Sequence, residues 1–127
     1  MISDTGSTTG AATDDWQLQY SLNSGTWTDV TTSSSVVKAY DNSNLTDGAA
    51  TTQRLSGGIG SFGAGEISED GLVDDLQIIA TNWTEFLFAL KIVSADVANA
   101  DVITFRVLYN ATTSHSTYYS RSYTKKL

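Results

Sequence analysis

Apolar and polar residues alternate with period two along much of this chain, and that alternation marks strands rather than helices. Trp16, Leu18, Tyr20 and Leu22 alternate with Gln17, Gln19 and Ser21, which predicts a half-buried strand. Asn23-Ser24-Gly25 predicts a turn, and Thr26-Trp27-Thr28-Asp29-Val30 the returning arm of a hairpin. Residues 35–40 read as a third strand, residues 41–48 as a turn region centred on Asp47-Gly48, and residues 51–55 as a short edge strand. Residues 76–80 predict a short apolar strand. Over residues 84–93, Phe86, Phe88, Leu90 and Ile92 face one way and Glu85, Leu87, Ala89 and Lys91 the other. Both faces are largely apolar, which predicts a strand central in its sheet. Residues 94–101 form a loop or one helical turn. Ile103, Phe105, Val107 and Tyr109 alternate with Thr104, Arg106 and Leu108, giving another central strand, and residues 117–123 a last polar one.

Short strands with a turn signal about every ten residues, and no helical period, predict an all-β fold: an antiparallel β-sandwich, Ig-like or jelly-roll-like, in a single domain. A jelly roll is the main rival topology and a barrel comes third. Residues 16–127 hold this domain. Residues 1–15 read as a flexible N-terminal arm, because residues 3–15 contain only Ser, Asp, Thr, Gly and Ala without periodicity. Order in such an arm is expected to come from a neighbouring chain.

Composition narrows the function classes. At 127 residues the chain buries roughly two-thirds of its unfolded surface, enough for a core. It has no Cys and no Pro, so disulfides and thiolate metal sites are excluded. No apolar run approaches the ~20 residues that span a bilayer. The formal net charge is −7, from 14 acidic and 7 basic residues, which opposes binding to nucleic acid and to anionic membranes. The Lys125-Lys126 pair is too small a patch to reverse this. Ser and Thr are abundant throughout, as on the outside of a particle, yet Met1-Ile-Ser-Asp-Thr-Gly-Ser has neither the basic start nor the apolar core of a secretory signal. The expectation is a virion component, made in the host cytoplasm without a signal peptide and carried on the capsid surface.

Candidate chemistry is sparse. His115 is the single histidine and lies in the Ser/Thr-rich stretch Thr112-Thr-Ser-His-Ser-Thr117. No Gly-x-Ser-x-Gly elbow accompanies it, so an exposed loop histidine is expected rather than catalysis. Glu66, Glu69, Asp70, Asp74 and Asp75 could offer oxygen ligands to calcium, but they lack the alternating order of an EF-hand, and solvated loop charge is the expectation. The glycine-dense stretch Gly57-Gly58-Ile59-Gly60-Ser61-Phe62-Gly63-Ala64-Gly65 lacks the ending of a P-loop. It reads as a conformationally permissive contact loop, with Gly57, Gly58, Gly60, Phe62 and Gly63 as interface candidates beside Asp14 and Asp15 of the arm. Trp16, Trp27, Trp83, Tyr118, Tyr119 and Tyr123 could build a sugar-stacking platform. Trp83, in Thr81-Asn-Trp-Thr84, fits best because it precedes the alternation of its strand.

Four stretches in this order resemble an Ig-like β-sandwich module of tailed-phage virion proteins, also seen in bacterial surface proteins. They are Trp16-Gln-Leu-Gln-Tyr20 with Gly25-Thr-Trp-Thr-Asp29; Asp47-Gly-Ala-Ala-Thr-Thr-Gln-Arg-Leu55; the glycine loop ending in Gly65-Glu-Ile-Ser-Glu-Asp-Gly71; and Thr84-Glu-Phe with Ile103-Thr-Phe-Arg-Val107. The likeness spans about residues 16–109. Modules of this kind tend to carry more strand sequence ahead of the first Trp, where this chain has its polar arm. The resemblance implies a non-enzymatic structural protein of the phage particle, a decoration or cement protein on the head, with no cofactor. Its partners would be the major capsid protein or other virion subunits, contacted by homo-oligomeric or lattice-bound copies. The alternative is a glycan-binding adhesion module on a virion or bacterial surface.

Overall fold

The computed structural model describes residues 1–111 and the backbone of residues 122–124. It is all-β and sandwich-like, with one 3₁₀ turn at Ser94–Asp96 among the described residues. The strands are β1 (Ile2–Ser3), β2 (Trp16–Leu22), β3 (Thr28–Asp29), β4 (Val37–Ala39), β5 (Ile67–Ser68), β6 (Leu72–Val73), β7 (Trp83–Thr84), β8 (Leu87–Phe88), β9 (Leu90–Ile92), β10 (Val102–Tyr109) and β11 (Ser122–Thr124).

The main sheet runs β11-β10-β2-β3, and β6 lies against the same edge of β2 as β3, nearer the start of the strand. The two alternating segments at its centre pair antiparallel along their whole length, from Ile103 opposite Leu22 to Tyr109 opposite Trp16. This register puts Trp16, Leu18, Tyr20 and Leu22 on one face with Ile103, Phe105, Val107 and Tyr109. The hairpin turn is of type I′: Asn23 (φ 51°) and Ser24 (φ 60°) are left-handed, and Gly25 N–H donates to the Leu22 carbonyl at 2.9 Å.

Two apolar clusters fill the space beneath that face. Leu18, Tyr20 and Ile103 meet Val30, Val36, Val37, Ala39 and Val97 in one. Trp16, Val73 and Ile78 form the other, with Ile2, Leu76, Phe86 and Tyr109 packed against them. Val30, Val37 and Val73 have no exposed surface; each contributes about 1.5–3 kcal/mol relative to an exposed side chain.

Three sequence expectations are corrected. Residues 84–93 are not one central strand. The segment breaks into β7, β8 and β9, which pair with β1, with β5 in parallel, and with β4 respectively. Residues 51–55 and 76–80 run without a strand ladder. The first is held by side chains: Glu85 accepts from the Arg54 and Leu55 amides, and Thr51 Oγ1 donates to the Glu85 carbonyl. Finally, residues 1–15 do not wait for another chain. β1 pairs with β7, Asp4 N–H donates to the Asn82 carbonyl, and Gly10 N–H donates to the Ile78 carbonyl. The physical reason is that main-chain hydrogen bonds and the carboxylates of Asp14 and Asp15 tie down a segment whose one packed aliphatic side chain, Ile2, gives no periodic signal.

Candidate functional site

The residues singled out by sequence fall into separate places. Asp14 is only 2% exposed and acts as a staple. Its Oδ2 accepts from Ala11 N–H at 2.8 Å, and its Oδ1 accepts from Tyr109 O–H at 2.8 Å and Asn110 Nδ2 at 3.0 Å. These bonds join the N-terminal segment to the end of β10, and they raise the Tyr109 hydroxyl above its ordinary pKa, chiefly through the hydrogen bond to Asp14. As an interface candidate Asp14 is therefore corrected: its carboxylate faces inward. Asp15 sits at the surface, accepting from the Asp75 amide while its own N–H donates to Asn110 Oδ1.

Trp83 is also corrected. It is 3% exposed and cannot stack on a sugar. Gly58 lies flat on its indole, where any Cβ would overlap the ring, and Phe62 meets it edge-on at 5.0 Å between centroids. The glycine loop thus has an inner task, seating Trp83, and an outer surface. Gly57 (φ 92°) and Gly60 (φ 75°) take left-handed backbone that suits glycine, and Leu55 and Ile59 between and beside them are exposed.

The acidic residues do not converge on a cation. Glu69 Oε1 accepts from Asn42 N–H at 2.6 Å, and Asp70 Oδ1 accepts from Ser68 Oγ and Leu72 N–H. Both carboxylates close loops. Glu66 and Asp74 remain near other carboxylates, and both have raised pKa values. Desolvation is the first cause for each, followed for Glu66 by Asp74, Asp47 and Asp70, and for Asp74 by Asp15, Asp70, Asp75 and Asp47. Among the described residues no group of three or more Asp, Glu or His side chains is placed to hold a metal ion. His115, Tyr118, Tyr119 and the Lys125-Lys126 pair lie outside the described residues, as does the Tyr123 side chain.

One surface was not marked by sequence reasoning: the edge of β9. β9 pairs only with β4 among the described residues, with Ile92 opposite Val37, Lys91 opposite Lys38 and Leu90 opposite Ala39. Tyr40 N–H donates to the Ala89 carbonyl and Val93 N–H to the Val36 carbonyl. By antiparallel alternation, Leu90 and Ile92 then direct their N–H and C=O groups away from β4. The far edge of β4 is closed, since Ala39 N–H donates to the Thr31 carbonyl and Ser34 Oγ to the Val37 carbonyl. Among the described residues the β9 edge is left open, and Leu90, Ile92 and Tyr40 are 38%, 47% and 49% exposed beside it. Lys38 and Lys91 sit directly opposite each other, an arrangement that is mutually repulsive, and Lys91 Nζ lies 5.9 Å from the Tyr40 ring centroid. An open strand edge with apolar side chains and two lysines can take up an extended, acidic or neutral strand from another chain. The signal available in sequence was the apolar content of both faces over residues 84–93, which reads equally well as deep burial.

Compared with family profiles, with curated proteins and with solved structures, the chain shows no match. Function therefore rests on the chemistry of these surfaces.

Proposed function

We propose that this chain is a non-enzymatic structural component of a bacteriophage particle, a decoration protein bound to the head lattice, and that it assembles through the β9 edge. The observation that carries the reading is that, among the described residues, β9 turns backbone groups away from β4 on the edge where Leu90, Ile92 and Tyr40 are exposed. Folded monomers usually blunt such edges, because they template association. The rest of the molecule is consistent with a passive, durable part: an all-β core, no cysteine to oxidise, and an N-terminal segment stapled by Asp14.

In this reading a strand of the capsid protein, or of a second copy, pairs with β9 and covers Leu90 and Ile92. Carboxylates of the partner face Lys38 and Lys91 and relieve their repulsion. The exposed Leu55 and Ile59 of the glycine loop provide a further apolar contact. Repetition over a lattice turns a modest contact into high avidity.

The test is incorporation. Particles purified from a lysate of the host are analysed for the chain by mass spectrometry, in parallel with a phage carrying Leu90→Asp and Ile92→Asp. Stoichiometric presence of the wild type and loss of the double variant are expected. Absence of the wild-type chain from purified particles would overturn the reading.

A further inference from the structure

The face of the main sheet turned away from the core carries a second, independent feature. Asp29, Gln19 and Arg106 stand directly opposite one another on β3, β2 and β10, forming a row across three strands. Arg106 Nε donates to Gln19 Oε1 at 2.7 Å, and Gln19 Nε2 donates to Asp29 Oδ1 at 2.6 Å. Each end of the Gln19 amide is thereby fixed, and the row is held rigid. Trp27, two residues before Asp29 and on the same face, lies over the Arg106 guanidinium with 4.3 Å between Cζ and the ring centroid. It is 37% exposed, so the indole is fixed by the cation beneath while part of it stays open to solvent. Alongside runs a groove of about 540 Å³ bounded by Gln17, Gln19, Asp29, Asp15, Thr13 and Asn110. The two N–H groups of Gln17 Nε2 are shared among the carbonyls of Leu18, Val30 and Gly71, which leaves Oε1 as its acceptor.

We propose that this outer face is a carbohydrate-binding surface, with Trp27 as the stacking platform and Asp29 and Gln17 as the hydroxyl-binding groups. A pyranose presents a flat C–H face and a rim of hydroxyls. An open indole beside planar amide and carboxylate groups matches both. Charge selects the ligand class. Arg106 is already bonded into the row that ends in Asp29, the groove adds Asp15, and the chain carries a net charge of −7. Sialylated, sulfated and phosphorylated glycans are repelled, and neutral hexose or N-acetylhexosamine chains are accepted. The inference does not rest on the phage reading, because the β9 edge plays no part in it.

The purified chain is screened on an array holding neutral and acidic glycans, and hits are titrated by calorimetry. Trp27→Ala, Trp27→Phe and Asp29→Asn are compared, with circular dichroism to confirm that each is folded and Ile92→Asp as a control. Binding to neutral glycans is expected, with at least a tenfold loss in Trp27→Ala, a smaller loss in Trp27→Phe, and no change in Ile92→Asp. A blank array at millimolar ligand, a preference for acidic glycans, or binding that survives Trp27→Ala would each overturn the proposal. Capture of proteins but of no glycan would do the same and would mark the face as a protein contact.

Discussion

Replacing Asp14 by Ala removes the acceptor that joins the N-terminal segment to β10. Three donors lose their partner: Ala11 N–H, Tyr109 O–H and Asn110 Nδ2. Hydrogen bonds to a charged group are worth about 1.5–3 kcal/mol each. They are not additive here, because Asn110 is exposed and Tyr109 half-buried, so water replaces part of what is lost. The expected net loss is about 2–3 kcal/mol. With a urea slope of about 1–3 kcal/mol/M, the unfolding midpoint falls by about 1–2 M. Asp14→Asn keeps one acceptor oxygen and is expected to fall by about half as much. The assay pairs urea unfolding with hydrogen exchange. The Asp4 amide, bonded to the Asn82 carbonyl, is expected to lose protection in Asp14→Ala, whereas amides of β2 and β10 change only by the global loss. A midpoint within about 0.2 M of wild type (roughly a tenth to a fifth of the expected shift) and unchanged protection at Asp4 would refute the stapling role.

Further outcomes follow from the same geometry. Trp83→Ala empties a site sealed by Gly58 and Phe62, and is expected to cost about 3–5 kcal/mol and lower Tm by roughly 10–20 °C in calorimetry. Gly71→Ala is expected to lower the urea midpoint strongly, because φ is +96° and a Cβ there would overlap the Val30 carbonyl. Glu66 and Asp74 have raised pKa values in the folded state, so the folded state binds protons more tightly. Stability is therefore expected to rise as pH falls from neutral through their titration. Asp74→Asn is expected to be more stable than wild type at pH 7 and level with it at the acid end, read from urea midpoints across pH. Tyr109 is raised as well, so its contribution is present below pH 10 and is lost as pH rises through its folded-state value; Asp14→Asn is expected to lessen that alkaline loss.

Sequence periodicity reads best where one long pair dominates. Residues 16–22 and 102–109 alternate cleanly because they pair with each other over seven positions, and the Asn23-Ser24 turn follows from residues that tolerate left-handed backbone. Residues 84–93 alternate just as cleanly, yet Thr84, Leu87 and Leu90 each join a different partner. Alternation records which way side chains point and carries no information on which strand lies alongside. The N-terminal segment misleads for the opposite reason. Its polar composition hides a fold made through main-chain bonds, Asp14 and the single packed side chain of Ile2. Trp83 looked exposed because its seat is Gly58, twenty-five residues earlier, and a contact with a glycine leaves no apolar signature. The platform for a sugar passed instead to Trp27, which the hairpin pattern had placed in a strand without showing its Arg106 support.

The β9 edge is tested most directly by amide hydrogen exchange at Leu90 and Ile92, read in the isolated chain and again in purified particles. The free chain is expected to exchange both amides quickly, since neither points toward β4, and the particle-bound chain to protect both by at least a hundredfold. Equal, rapid exchange in the two states, on a chain firmly attached to the particle, would mean that the edge stays in solvent and that assembly runs through another surface.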